Sequence, residues 1–114
     1  MVTVFISAAM ICFSGQCYNA LVGKDTPVGE YQLKLVKTDQ PGYGGDIVAF
    51  HETDDYVYAI HRVFLLNPKQ HRMERIKSEN PTVRHITWGC INVMPDVYEK
   101  LIDCCVESGL QVSL

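Results

Sequence analysis

A thiol, an imidazole and a carboxamide are spaced along the second half of this chain in an order that suits acyl transfer. Cys90 lies in Thr87-Trp88-Gly89-Cys90-Ile91-Asn92-Val93, directly after a glycine, with histidines at positions 51, 61, 71 and 85 upstream and Asn92 just downstream. A thiol attacks an amide as its thiolate, so a base within hydrogen-bond reach must take the proton. Gly89 has no Cβ, which lets the backbone turn sharply and lets a substrate carbonyl approach the N–H groups of the turn. Those of Trp88 and Gly89 are the expected oxyanion donors, with Asn92 as a polar contact for substrate or turn. The alternative is a buried structural cysteine, a common fate of free thiols.

Four histidines compete for the role of base. His61 follows the apolar run Tyr56-Val57-Tyr58-Ala59-Ile60 and so ends an expected strand, a stiff mount for a catalytic ring. His71 sits between Gln70 and Arg72, in a segment that reads as solvent-facing. His85 is five residues before Cys90 and needs the chain to fold back, and His51 belongs to the preceding strand or turn. His61 is the expected base. Tyr58, Arg62, Arg84 and His85 are candidate substrate contacts.

Three stretches carry a family resemblance: Thr26-Pro27-Val28-Gly29, a strand ending in Ile60-His61, and Thr87-Trp88-Gly89-Cys90-Ile91-Asn92 ahead of a short helix. In this order they resemble the catalytic domain of the L,D-transpeptidases (YkuD-type), cysteine acyltransferases of the bacterial cell wall, over most of the chain from Gly23 onward. Trp88 stands where the family often has histidine, and Thr87 where serine is usual. His61 lies 29 residues before Cys90, a longer gap than is common there, which a longer loop would explain. The resemblance implies Cys90 as nucleophile and His61 as base, the ring's other nitrogen being held by a backbone carbonyl. It implies peptidoglycan stem peptides as substrate, no cofactor, and a periplasmic or secreted location. Cys90 would form a thioester with release of the terminal D-alanine, and an amine acceptor would resolve it as a 3–3 cross-link. Carboxypeptidase action, a toxin using the same site, an unrelated thiol hydrolase and a non-catalytic peptidoglycan-binding module are the alternatives.

The elements that must hold these residues are mostly strands. Val2 to Ile6 is β-branched and aromatic, and Met10 to Phe13 and Gln16 to Val22 form an expected hairpin about Ser14-Gly15. That turn sets Cys12 opposite Cys17, close enough for a disulfide in an oxidising compartment. Tyr31 to Leu35 alternates as one strand, and Ile47 to Phe50 and Tyr56 to His61 are joined by Glu52-Thr53-Asp54-Asp55, read as a solvated turn. The Pro41-Gly42-Tyr43-Gly44-Gly45 stretch is a loop and lacks the Lys-Ser/Thr of a phosphate cradle. Lys69 to Ser78 is expected to be a short lid helix with Met73 and Ile76 inward and Arg72, Arg75 and Lys77 outward. Pro95 opens a clearer helix with Val97, Leu101 and Cys105 on one stripe, and Leu110 to Leu114 is a last strand.

At 114 residues, almost half of them apolar, the chain is expected to be a single domain spanning residues 1–114. The expected class is mainly β, a sandwich or small barrel with one C-terminal helix. The first positive charge is Lys24, so the apolar N-terminus reads as structure, with no export signal in this chain. No run is long enough for a membrane span. A net charge of −3 argues against nucleic acid as the main partner. Arg62 to Arg84 nevertheless carries six Lys/Arg against two acids, which reads either as a solvated loop or as a rim that attracts carboxylate-bearing substrate. The five cysteines match no zinc spacing; adjacent Cys104 and Cys105 are expected to point to different sides, with Cys105 in the core.

Overall fold

The computed structural model describes residues 1–63 and 65–114. Among the described residues, nine strands form two sheets. The first holds β1 (Val2–Phe5), β2 (Met10–Phe13), β3 (Gln16–Asn19), β4 (Gly29–Gln32) and β9 (Gly109–Ser113), in the order β3-β2-β1-β9-β4. The second holds β5 (Lys34–Lys37), β6 (Asp46–Glu52), β7 (Val57–Arg62) and β8 (Ile91–Val93), in that order. Val4, Ile11 and Val112 of the first sheet share one buried cluster with Val48, Ile60 and Ile91 of the second. The expected mainly β class is the one observed, with two sheets around one core.

The helix α2 (Pro95–Cys105) covers part of this core through Val97, Tyr98, Leu101 and Cys105. Its apolar residues recur at helical spacing, and Pro95, which lacks an N–H, occupies the first turn at no cost. Arg62 at the end of β7 fixes the helix to the second sheet. Its guanidinium reaches Asp46 at 2.9 Å and Glu99 at 3.0 Å, and lies 4.1 Å from the centre of the Tyr98 ring.

Besides adding β8 as a strand that the sequence did not mark, the structure departs from the expected elements in four places. Tyr31 to Leu35 is two strands in different sheets, because the chain crosses between them at Leu33, which is buried and donates its N–H to Ser108 O. The third strand stops at Asn19, and Ala20–Val22 runs on as a buried segment whose Leu21 exchanges backbone hydrogen bonds with Asn92. The expected helix from Lys69 to Ser78 is broken at His71, which sits in the left-handed region at φ 51° between a 3-10 turn (Pro68–Gln70) and α1 (Arg72–Lys77). The fourth difference is at the end of α2, where Cys104 and Cys105 are joined as a disulfide instead of diverging.

The hairpin about Ser14-Gly15 has the expected register, with Phe13 opposite Gln16 and Cys12 opposite Cys17, and the two thiols are bonded. Both turn residues have positive φ, 51° and 79°, as a type I′ turn requires. Among the described residues no helix is long and apolar enough to cross a membrane.

Candidate active site

β7 and β8 lie side by side in parallel, with His61 paired in register to Asn92. A parallel pair cannot be closed by a tight turn; it needs a crossover of a dozen residues or more. The 29-residue gap between His61 and Cys90 is therefore a crossover carrying α1, and its length does not separate the two residues in space. Because β8 is also bridged on its other side by Leu21, all three of its residues are buried.

The turn that presents Cys90 is tied down from both ends. Thr87 Oγ1 donates to Cys90 O at 2.6 Å and accepts from Gly89 N–H at 3.2 Å. Gly89 has φ +142°, a conformation open to glycine, and a Cβ there would stand 2.5 Å from Cε1 of Tyr58. The Thr-Pro-Val-Gly stretch meets this turn directly. Buried Thr26 donates from Oγ1 to Gly89 O at 3.0 Å while accepting from Gly23 N–H at 3.1 Å. Gly23 in turn packs so close to Thr87 that a Cβ would collide with Thr87 O. Two of the stretches singled out in the sequence are thus one hydrogen-bonded unit.

Cys90 is the free cysteine of the five, and is partly exposed. It lines two cavities, of about 310 Å³ and about 410 Å³, and His61, Tyr43 and Tyr56 line both with it. The larger is completed by residues such as Lys37, Thr38, Asp55 and Val57, and the smaller by Asn67, Gln70, Arg72, Thr87 and Trp88. Trp88 itself is 77% exposed at the rim. Tyr56 donates its hydroxyl to Cys90 Sγ at 3.5 Å, and the thiol reaches Val57 O at 3.6 Å. Burial, then the hydrogen bond and charge of Cys90, push the Tyr56 phenol upward, so it remains a proton donor to the sulfur.

His61 is 3% exposed and is held by Nδ1, which lies 2.7 Å from Arg62 O. A carbonyl only accepts, so Nδ1 carries the proton and Nε2 presents its lone pair. Burial pushes the imidazole down to about 4, the carbonyl of Arg62 opposes this, and the nearby charge of Arg72 adds to the depression. The ring is neutral at neutral pH, as a base must be before it accepts a proton. Tyr43 packs against it at 4.5 Å between ring centres.

Nε2 does not meet the thiol in this state. It lies 3.4 Å from Asn92 Nδ2, and no hydrogen bond joins it to Cys90 among the described residues. The Asn92 carboxamide is fixed from its other side by Arg72, whose Nη1 donates to Oδ1 at 2.8 Å. The two neighbours agree on the orientation of the amide, oxygen toward the guanidinium and nitrogen toward the imidazole.

Arg72 was expected on the outer face of a lid helix and is instead 9% exposed, with Nε bonded to Gln70 Oε1. The reason is periodicity: Arg72 is four residues before Ile76, so both fall on the inward face of α1. That spacing was available in the sequence, whereas the contribution of Tyr43 from a glycine-bracketed loop was not. Of the expected oxyanion donors, Gly89 N–H is turned to Thr87 Oγ1. Those of Trp88 and Cys90 are not engaged by other described residues.

The candidate substrate contacts lie elsewhere. Arg62 holds Asp46, Glu99 and the carbonyls of Tyr43 and Gly44. Arg84 is buried against Ala8 O, Ala9 O and Ser78 O. His85 spans Pro81 O and Ile6 O. Tyr58 backs Gly89 and stacks on His51. None of the four lines either cavity at Cys90. His71 is exposed and faces Glu74. Among the described residues no group of three or more His, Cys, Asp or Glu side chains is placed to hold a metal ion.

No family model matches the sequence, and comparison with curated proteins gives no match. Solved structures do match. The chain is similar to L,D-transpeptidase 1 of Mycobacterium tuberculosis (TM-score 0.57, 18% identity, 99% of this chain and 58% of that one). It is also similar to an L,D-transpeptidase from Mycobacterium smegmatis (0.57, 19%, 99% and 58%). A third match is the helical cell shape determining protein Pgp2 of Campylobacter jejuni (0.58, 16%, 97% and 46%). At these identities the likeness establishes the fold, which is that of the L,D-transpeptidases, as the motif resemblance implied. The chain spans roughly half the length of these neighbours.

Proposed function

We propose that the chain is a cysteine acyltransferase acting on peptidoglycan stem peptides in the bacterial cell envelope. The observation that carries this reading is the position of Cys90, unpaired and lining two cavities together with the neutral His61, on a fold shared with L,D-transpeptidases. His61 Nε2 takes the thiol proton, and the sulfur adds to the carbonyl carbon that follows the L-centre of the third stem residue. The oxyanion is held by backbone N–H groups of the Trp88 to Cys90 turn. Collapse breaks the C–N bond, the proton on His61 passes to the departing D-alanine nitrogen, and a thioester remains on Cys90.

An amine acceptor next loses a proton to His61 and attacks the thioester. The new C–N bond forms as the C–S bond breaks, and the thiolate recovers the proton. Two cavities meeting at one sulfur give donor and acceptor separate approaches, which favours transpeptidation over hydrolysis. With water as acceptor the same site is a carboxypeptidase. Incubation with purified tetrapeptide muropeptides followed by mass spectrometry tests the proposal. Cross-linked dimers are expected; tripeptides alone would assign hydrolysis, and unchanged substrate would leave a non-catalytic binding module.

A further inference from the structure

Trp88 is the single tryptophan of the chain and is 77% exposed. An exposed apolar side chain is ordinary by itself; what sets this one apart is the space on both sides of it. It lines the cavity of about 310 Å³ that Cys90 and His61 share, and together with Thr87 it also lines a second cleft of about 450 Å³. Lys24, Asp25, His85 and Ile86 take part in the lining of that cleft. His85 is fixed there by Pro81 O and Ile6 O. Lys24 and Asp25 are exposed and form no ion pair among the described residues. A cleft of this size, with an aromatic face and a few polar groups, is the usual form of a small-ligand site.

The structure assigns to this cleft one N-acetylhexosamine ring of the glycan strand that carries the stem peptide, stacked on the Trp88 indole. This deepens the acyl-transfer reading and rests on it. One face of a pyranose ring is made of C–H groups, whose slight positive charge suits the negative face of an aromatic ring. Its edge is a row of hydroxyl and acetamido groups, to which Lys24 donates and from which Asp25 accepts. The two charges cancel, so the cleft suits a neutral polar ligand better than an anion such as a phosphate. The reach agrees with this placement. Three stem residues separate the sugar from the scissile bond and span at most roughly 10 Å. Two residues of backbone, at most roughly 7 Å, and the length of an indole separate Cys90 from the far side of Trp88. Because Thr87 and Trp88 line both spaces, one muropeptide can set its stem at Cys90 and its sugar in the cleft.

The single tryptophan gives a readout independent of catalysis. A tetramer of N-acetylglucosamine added to wild type should shift the indole emission to the blue and saturate. The same titration of Lys24→Ala/Asp25→Ala should need about two- to tenfold more sugar, the factor a lost hydrogen bond carries. In turnover, a disaccharide-tetrapeptide should have a KM about two- to tenfold below that of the free tetrapeptide, the factor an aromatic contact contributes. Trp88→Ala, which keeps the backbone N–H of residue 88, should bring the ratio of the two KM values toward one, and Trp88→Phe should retain part of it. No saturable emission change with the sugar, equal KM values in wild type, or an undiminished ratio in folded Trp88→Ala would overturn the glycan site and leave acyl transfer standing. If Trp88→Ala does not fold, the titration of Lys24→Ala/Asp25→Ala decides in its place, and an unchanged sugar affinity there would overturn the site. Saturable sugar binding with turnover of neither peptide would keep the site and defeat acyl transfer.

Discussion

Two turns in this molecule pair a glycine with a cysteine, and they dispose of the thiol in opposite ways. At Ser14-Gly15 the chain doubles back in an antiparallel hairpin, so the residue across from Cys12 is its near neighbour Cys17, and the two sulfurs bond. At Thr87 to Cys90 the chain returns from a long crossover onto a parallel neighbour. The groups that then face the sulfur come from remote sequence: the hydroxyl of Tyr56 and the carbonyl of Val57. A hairpin can only offer a thiol its own flanks, whereas a crossover offers it whatever the adjacent strand delivers. Connectivity, more than local composition, makes one cysteine structural and the other available for chemistry.

The strongest way to break this contrast is to remove each thiol in turn. Cys90→Ala should abolish covalent labelling by a β-lactam acyl-donor mimic, read by intact mass, while Cys12→Ala/Cys17→Ala should label as wild type does. Labelling that survives in Cys90→Ala would place the nucleophile elsewhere. The proposed base gives the next largest effect. His61→Ala should stay folded and acylate slower by roughly two to four orders of magnitude, the usual contribution of a positioned base. His71→Ala, which removes an exposed ring, should keep most of the rate; the opposite ranking would reassign the base.

The two glycines sharpen the comparison at the level of the backbone. Gly15 has φ +79°, yet nothing lies within 4 Å of where a Cβ would be placed. Gly15→Ala therefore incurs only left-handed strain, about 1–2 kcal/mol. Gly89 combines φ +142° with the ring of Tyr58 at 2.5 Å. Strain and overpacking together put Gly89→Ala on the order of 4 kcal/mol, enough to displace the Cys90 turn. Denaturant midpoints of the two variants measure the difference, and equal losses would mean that Tyr58 yields freely.

How much of this was legible in the sequence follows from the same distinction. Short-range patterns carried their information locally: the Ser14-Gly15 register, the stripe of Val97, Leu101 and Cys105, and the pairing of Cys12 with Cys17 all read correctly. So did the overall mainly β class, through the order of three motif stretches. What the sequence hid was set by contacts across the fold. Leu33 divides an alternating run between two sheets because Ser108 accepts its N–H. Ile91–Val93 is too short to announce itself as a strand, and is one because β7 and Leu21 flank it. Arg62 and Arg84 read as the ends of a charged rim and His85 as a candidate substrate contact, but backbone carbonyls claim hydrogen bonds from all three.

Acid should distinguish the two regions as well. His61 is depressed from 6.5 to about 4 by burial, with Arg72 adding to it. The unfolded chain then takes up a proton near pH 6.5 that the folded chain refuses until about pH 4. Stability is complete above the unfolded value and falls as pH drops through that window, by roughly 3 kcal/mol if the full difference is realised. In His61→Gln, urea midpoints measured at pH 7 and pH 4.5 should lie closer together than in wild type. An unchanged gap would show that carboxylates, and not this imidazole, govern the acid limb.

The smallest effect concerns the hairpin. A disulfide stabilises mainly by shortening the unfolded chain's list of conformations, and its gain grows with the loop it closes. Cys12 and Cys17 are five residues apart, so the loop-entropy relation gives about 2 kcal/mol as an upper figure. The native hairpin loses little besides, since its type I′ turn and ladder need no cross-link. Cys12→Ala/Cys17→Ala should therefore lower the denaturant midpoint modestly and leave the iodoacetamide reactivity of Cys90 unchanged. If Cys90 reactivity moved with the hairpin, the two turns would be coupled through β1, β9 and the shared core, and the division between a structural and a chemical cysteine would have to be redrawn as one cooperative unit.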